Sequence, residues 1–491
     1  MSEKKFNKSA AIHTAIGLAF MLLFPLIPPV GSITKVGMAI AGAFIGMVYL
    51  WSTVDSIWPS ILGLLLIALS GYLGTDIVGY AAVKNVFLNA YGTDTVLLLA
   101  LGLVLFGAVE HVGCTKYFAR FFLTRKVING RPYVFYAMVF ICSYLLSGLT
   151  NPIAPLLILW PIMIDVLTEF GYKKGDTPFY AGVFGIYLAA TLGQPMFPFK
   201  GAALVVVSAY ENLSGTTVSM PSYIAYNIIM SALLLVAYLL LLKFVFRMDV
   251  SAMKNVNIER FTQDKLPPMT FTQKCFMGMI VFYVTALLLP SFLPKTMILT
   301  QWLNKLGTLG ITIICVVVLM ILQDGGKPVL QYNVVSKKSF NWGIFFMVGA
   351  AVYGANAVSN NATGITTFLL DVFQPLLGGK PVFLFVFLLL LFALITTNFA
   401  NNAGMAVVLL PVVMAFADQY PTVDTVVICM SITMMVFVAL LTPAASPYCG
   451  MMHARTEDIS LGEIMKLGLP MCVIAVLAYT FIGFPIANIL F

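Results

Sequence analysis

Apolar residues along this chain come in long blocks, with neither the alternation of a half-buried strand nor the narrow stripe of a surface helix. Blocks of 17 to 25 residues are long enough to cross a hydrocarbon core of roughly 30 Å. In the first half they fall at 12–29, 34–51, 57–74 and 94–112. A basic amphipathic piece, CTKYFARFFLTRKVINGR, follows. Next come an apolar segment interrupted at SGLTNPIAP (133–169), a second interrupted at GQPMFPFK (178–210), and an unbroken span at 222–246. Residues 248–270 are polar and read as a cytoplasmic linker between an N-terminal unit, 1–247, and a second unit, 271–491.

The second unit repeats the order. Spans at 272–293, 305–322 and 341–357 precede a short amphipathic piece near 363–373. A segment interrupted at TNFANNAG (381–418) follows, then one interrupted at LTPAASPYCG (421–452), then a last span at 463–486. Gly102 and Gly107 in the first half match Gly349 and Gly354 in the second, with four residues between each pair. Asn151 precedes Pro161 by ten positions, and Asn401 precedes Pro411 by ten. Landmarks recurring in order at near-equal spacing indicate duplication.

The predicted fold is therefore an all-α polytopic membrane protein. It has about eleven transmembrane helices and two re-entrant hairpins, 133–169 and 381–418, in two inverted repeats. Charge placement sets the orientation. With the N-terminus inside, the basic loops at 115–131, 173–174, 248–265, 327–338 and 455–466 all fall on the cytoplasmic side. Lys295, Lys305 and Lys380 are the main cations left outside, and the uncharged C-terminus, IANILF, lies outside too. The basic, then apolar, N-terminus reads as a retained first span. A bacterial inner membrane is the expected location.

Composition narrows the chemistry. Of 491 residues 60% are hydrophobic and 9% charged, against about 25% charged in a soluble domain. The net charge of +8 reflects inside-facing loops rather than a nucleic-acid partner; the expected surroundings are a lipid bilayer. Seven cysteines lie mostly inside apolar segments with no CxxC pair, so neither a disulfide framework nor a metal site is expected, and no cofactor is called for. An enzyme would need a nucleophile–base pair or metal cluster, but His13, His111 and His453 lie far apart and neither HExxH nor GxSxG occurs.

Irregular backbone at membrane depth is tolerated only where it is buried in protein or lines a watery cavity. Four interruptions, two per repeat, point to a midplane site of the kind secondary transporters build from broken helices. The first hairpin tip offers Ser147, Thr150 and Asn151; the second offers Thr397, Asn398, Asn401 and Asn402. Their neutral amides and hydroxyls can hold a carboxylate without trapping it, although they also suit helix capping. The Pro-rich breaks contribute Pro195 on one side and Ser446 and Pro447 on the other. Lys200 follows the first break and His453 the second. An ionisable residue inside a span costs a few kcal/mol and usually faces a cavity. Arg455 reads as an ordinary inside-facing loop cation. Glu110 and His111 end a span, and Asp165 and Glu169 lie near a hairpin base. No acidic residue is expected at either tip, which favours an anionic substrate.

These residues resemble the divalent anion/sodium symporter family of di- and tricarboxylate carriers over nearly the whole chain. The resemblance implies a homodimeric, elevator-type transporter in which each hairpin tip contacts a substrate carboxylate and supports sodium. Family members carry Ser-Asn-Thr at each tip; here the tips read Thr150-Asn151-Pro152 and Asn401-Asn402-Ala403. The second tip's ligand is Asn401 or Asn402, depending on whether ten or nine positions separate it from Pro411. Both tips lack the final Thr, and Lys200 stands near where the first sodium binds in the family. Lys200 and His453 are thus read as fixed positive charges replacing sodium. The expected function is sodium-independent exchange of C4-dicarboxylates such as malate, succinate and fumarate, and of 2-oxoglutarate. A sodium-coupled di-/tricarboxylate symporter is the alternative, and a passive anion channel a further one.

Overall fold

The structure, a computed structural model, describes residues 8–255, 267–294, 296–399, 402–416, 419–421, 423–443 and 445–491. Of the features expected from sequence, Asn401, Lys295, the first seven residues and linker residues 256–266 lie outside these.

The first half holds α1 (Lys8–Leu23), α2 (Lys35–Thr53), α3 (Ile57–Leu69), α4 (Tyr80–Tyr91), α5 (Asp94–His111) and α6 (Cys114–Leu123). The first hairpin is α7 (Pro132–Leu149) with α8 (Ile153–Glu169). Then α9 (Thr177–Gly193) breaks, through a short 3-10 turn at Gln194–Met196, into α10 (Gly201–Ser214). The half closes with α11 (Met220–Leu240).

The second half opens with α12 (Phe271–Phe292) and α13 (Ile298–Ile321). A two-stranded ribbon, β1 (Gln323–Asp324) and β2 (Lys327–Pro328), turns through Gly325 and Gly326 at φ 58° and 78°, the positive-φ pair that a tight hairpin demands. Then come α14 (Tyr332–Ser339), α15 (Trp342–Ser359), α16 (Ile365–Leu377), α17 (Val382–Thr397) and α18 (Asn402–Phe416). The second broken element is α19 (Thr425–Met435) and α20 (Pro447–Ala454), followed by α21 (Leu461–Ala478) and α22 (Phe484–Leu490).

Among the described residues nine helical segments are long and apolar enough to span a membrane, and α16 with α17 forms a tenth candidate bent by 114°. The chain is a multi-pass membrane protein. Several other helices are too short to count: α3, α18 and α19 have 13, 15 and 11 residues. The amphipathic pieces at α6 and α16 form where the sequence puts them. Helix α4 was not anticipated; at 12 residues, interrupted by Lys84, Asn85 and Asn89, it is too short to read as a span.

Caps explain where several helices start. Thr270 and Gln273 make a capping box on α12, and Ser460 and Glu463 make another on α21. Pro132, Pro178 and Pro447 sit in the first turns of α7, α9 and α20, where no N–H is needed. The long helix after each broken element ends alike: α11 and α21 both pass into a π-turn, at Leu241–Val245 and Tyr479–Gly483.

Helix α9 is the centre of the first half, buried from Pro178 to Gly193 on every face, as expected of a helix without a polar side. The first hairpin is bolted to it by polar side chains. Tyr136 donates to the Pro178 carbonyl, Ser143 to Ile186, Ser147 to Ala190 and the Trp160 indole to Val183, at 2.6–2.9 Å. At the inner end Gly193 has no side chain to spare: a Cβ there would lie 2.1 Å from the Tyr144 carbonyl oxygen. Helix α10 packs on α15 and α18, while α5 packs on α13 and α14.

Candidate functional site

Thr150 closes the end of α7, its N–H and hydroxyl both bonding the Leu146 carbonyl at 2.8 and 2.6 Å. Asn151 then opens α8: its Oδ1 accepts the N–H groups of Ile153 and Ala154 at 2.8 and 3.1 Å, satisfying donors that a helix start leaves free. The Asn151 Nδ2 donates to the Glu110 carboxylate of α5. The Ser147 hydroxyl is engaged by Ala190, but its carbonyl and that of Gly148 face inward. Lys200 Nζ donates to them at 3.3 and 2.7 Å. A cation is favoured there by the negative end of the α7 dipole.

Lys200 reaches that position because the chain is unwound between Met196 and Gly201. It takes an extended conformation (φ −138°, ψ 138°), and Gly201 beyond it adopts φ +53°, which only glycine takes cheaply. Its ammonium also lies 5.1 Å from the centroid of the Phe106 ring, close enough for a cation–π contact.

The second break is braced by the second hairpin. The Asn398 Oδ1 accepts from the N–H groups of Leu440 and Leu441 at 2.9 and 2.8 Å, its Nδ2 donates to Leu394 at 2.7 Å, and its carbonyl accepts from the Thr442 hydroxyl. The Thr397 hydroxyl lies 2.5 Å from the Val436 carbonyl and 3.1 Å from Asn402 Oδ1. Ser446 caps α20, accepting the Cys449 N–H at 3.2 Å, with Pro447 in the first turn. The ring nitrogens of His453 face the carbonyls of Cys449 and Leu441 at 2.9 and 3.1 Å. Such satisfaction is what irregular backbone requires at membrane depth.

The two breaks meet at Tyr448, whose hydroxyl donates to Gln194 of the first break and lies 3.4 Å from Asn402 Nδ2. Between them is a cavity of about 940 Å³. Of the predicted residues, Ser147, Thr150, Asn151, Lys200, Asn402, Ser446 and Pro447 line it. Thr397, Asn398, Pro195 and His453 do not; the side chains of Thr397, Asn398 and His453 bond backbone groups instead. Lys200 and Lys338 face the cavity against the single carboxylate of Glu110 among its lining residues, an excess of positive charge that draws anions.

The model for the sodium:sulfate symporter transmembrane region matches residues 8–491. The chain belongs to the divalent anion/sodium symporter family. It is also 21% identical over 143 residues to an uncharacterized transporter of Methanocaldococcus jannaschii, a match spanning 29% of this chain and 32% of that relative's length. In fold it is similar to the YdaH transporter of Alcanivorax borkumensis, a structure described as having an unusual topology. There the TM-score is 0.60 at 15% identity, over 87% of this chain and 97% of that one. MtrF of Neisseria gonorrhoeae, described with a class of antimetabolite efflux pumps, gives 0.55 at 12% identity, covering 98% and 95%. At these identities the likeness is of fold alone. The relatives are transporters, not enzymes.

For a member of this symporter family, the site holds three features that sequence reasoning missed. Gln194 and Tyr448 each adjoin a predicted proline, so the Pro-rich breaks had already marked their neighbourhood. Glu110 corrects the expectation that no acid stands at a hairpin tip. It is 41 positions from Asn151 in the chain, and only the packing of α5 across the cavity brings them together. Its one signal was its place one turn beyond Phe106, on the helix that carries the repeated glycines Gly102 and Gly107.

Proposed function

We propose that this chain is a secondary transporter that exchanges dicarboxylates, of the size of succinate, malate, fumarate and 2-oxoglutarate, without sodium. The observation that carries the reading is Lys200 Nζ on the Ser147 and Gly148 carbonyls. Two carbonyl oxygens at a hairpin tip form the start of a cation site, and here a tethered ammonium occupies them. A sodium ion leaves with its substrate; a lysine stays. Moving the empty site through the membrane then carries a charge without its partner, which is costly. Moving it with a dianion bound is cheaper, and that difference favours one-for-one exchange. Asn151 and Asn402 face the cavity as neutral ligands, suited to binding a carboxylate and releasing it.

A homodimer moving as an elevator, in a bacterial inner membrane with the N-terminus inside and the C-terminus outside, accords with the family resemblance and the charge of the loops. So does the division into two inverted units at 1–247 and 271–491. The family model's own description favours a second reading, sodium-coupled uptake of a divalent anion.

The test is counterflow in proteoliposomes. Vesicles loaded with unlabelled succinate should take up labelled succinate at equal rates with and without Na⁺, and empty vesicles should take up almost none. Uptake that needs Na⁺ and ignores internal substrate would reject exchange. Unlabelled malate, 2-oxoglutarate, citrate and sulfate as competitors define the substrate.

A further inference from the structure

The amide of Asn151 holds protein partners through both its oxygen and its nitrogen. Its oxygen caps α8, and its Nδ2 donates to Glu110. One of the two N–H groups of that nitrogen points at a carboxylate, so an incoming carboxylate that uses the same N–H takes the place of one already there. The same face of α5 presents Phe106 to the Lys200 ammonium, and Glu110, one turn on, lines the same cavity as that lysine. The contact also joins helices whose main neighbours differ: α7 and α8 pack most on α9, and α5 packs most on α13 and α14.

We propose that Glu110 is a resident stand-in for a substrate carboxylate: it occupies Asn151 while the cavity is empty, and substrate binds by displacing it. This rests on the anion-binding reading of the cavity given above. It extends that reading in two ways. Lys200 has a countercharge in the empty state as well as the loaded one. The empty hairpin is also tied to α5, so its departure would separate Glu110 from both Asn151 and Lys200. Substrate releases the tie by supplying the same chemical group, and obligatory exchange then follows from competition between carboxylates at one amide.

The test is calorimetric titration of the purified full chain with succinate and, separately, with sulfate. Glu110→Gln removes the competing charge and keeps the shape, while Glu110→Ala removes the side chain and stands in if the first variant fails to fold. Since the substrate no longer has to displace a charge-assisted hydrogen bond, both variants should bind succinate about tenfold more tightly than wild type. In an Asn151→Ala background, the same Glu110→Gln change should give a much smaller gain. Folded Glu110 variants that bind no more tightly than wild type would overturn the proposal. So would an undiminished gain in the Asn151→Ala background, which would reduce Glu110 to a general charge effect. If wild type binds sulfate but not succinate, the dicarboxylate reading fails, and the same comparison made on sulfate still decides the role of Glu110. A wild type that binds neither defeats both.

Discussion

Lys200 Nζ lies 2.7 Å from the carbonyl oxygen of Gly148, so a charge fastens the start of α10 to the end of α7. Replacing Lys200 with Gln keeps a donor but removes the charge; Ala removes both. Both variants should lower dicarboxylate counterflow by at least about tenfold, the scale of one charge-assisted hydrogen bond. Lys200→Ala should also lower the melting temperature, since two carbonyls at a helix end lose their donor. A Lys200→Ala counterflow rate equal to wild type would leave the lysine with a structural role only.

Asn398 sits outside the cavity, and its predicted effect differs accordingly. It bonds Leu394, Leu440 and Leu441 in a region where backbone groups have no water to fall back on. Asn398→Ala should destabilise the protein by about 3 kcal/mol, reflecting buried N–H groups left unpaired. Asn398→Asp, which keeps both acceptor contacts, should recover part of the loss. Thermal melting of the purified protein by size-exclusion chromatography reads the difference. Equal melting temperatures for wild type and Asn398→Ala would contradict this bracing role.

Two glycines on the same contact separate backbone from side-chain limits. A Cβ at Gly193 meets the Tyr144 carbonyl oxygen at 2.1 Å, while one at Gly148 first meets the Met196 sulfur at 2.5 Å. Backbone cannot move aside and a methionine can. Gly193→Ala should therefore cost more than about 3 kcal/mol, above the usual range for overpacking, and Gly148→Ala markedly less. Expression and melting of the two variants side by side would show the order, and a reversed order would refute the packing argument.

The repeats and their breaks were legible in the sequence because membrane depth imposes a one-dimensional rule. A Pro, Asn or Gly cluster inside an apolar block has to be an interruption, and among the described residues α7, α9 and α17 end beside such clusters, at Leu149, Gly193 and Thr397. Lys200 was legible for the same reason, as a charge with nowhere to go except a cavity. What each polar group does there was not legible. Ser147 and Asn398 have the side chains of ligands, yet their polar side-chain atoms are taken by the backbone of α9, α17 and the second break. Which partner a hydroxyl or amide finds depends on helix rotation, which apolar blocks do not encode. Glu110 failed for a related reason: a residue at a span end looks interfacial unless the neighbouring helix is known.

Tyr448 offers the sharpest test of how the two repeats cooperate. Its hydroxyl donates to Gln194 of the first break and lies 3.4 Å from Asn402 Nδ2 of the second hairpin. Tyr448→Phe removes that oxygen and leaves the ring beside Tyr187, 6.5 Å between centroids. The KM for counterflow should rise severalfold, because Asn402 and Gln194 lose the partner that orients them toward the cavity. If the two act through one hydroxyl, Gln194→Ala in the Tyr448→Phe background should add little, with a coupling of about 0.5–3 kcal/mol between the changes. Fully additive effects would mean that the repeats bind substrate independently, and that the contact at Tyr448 is incidental.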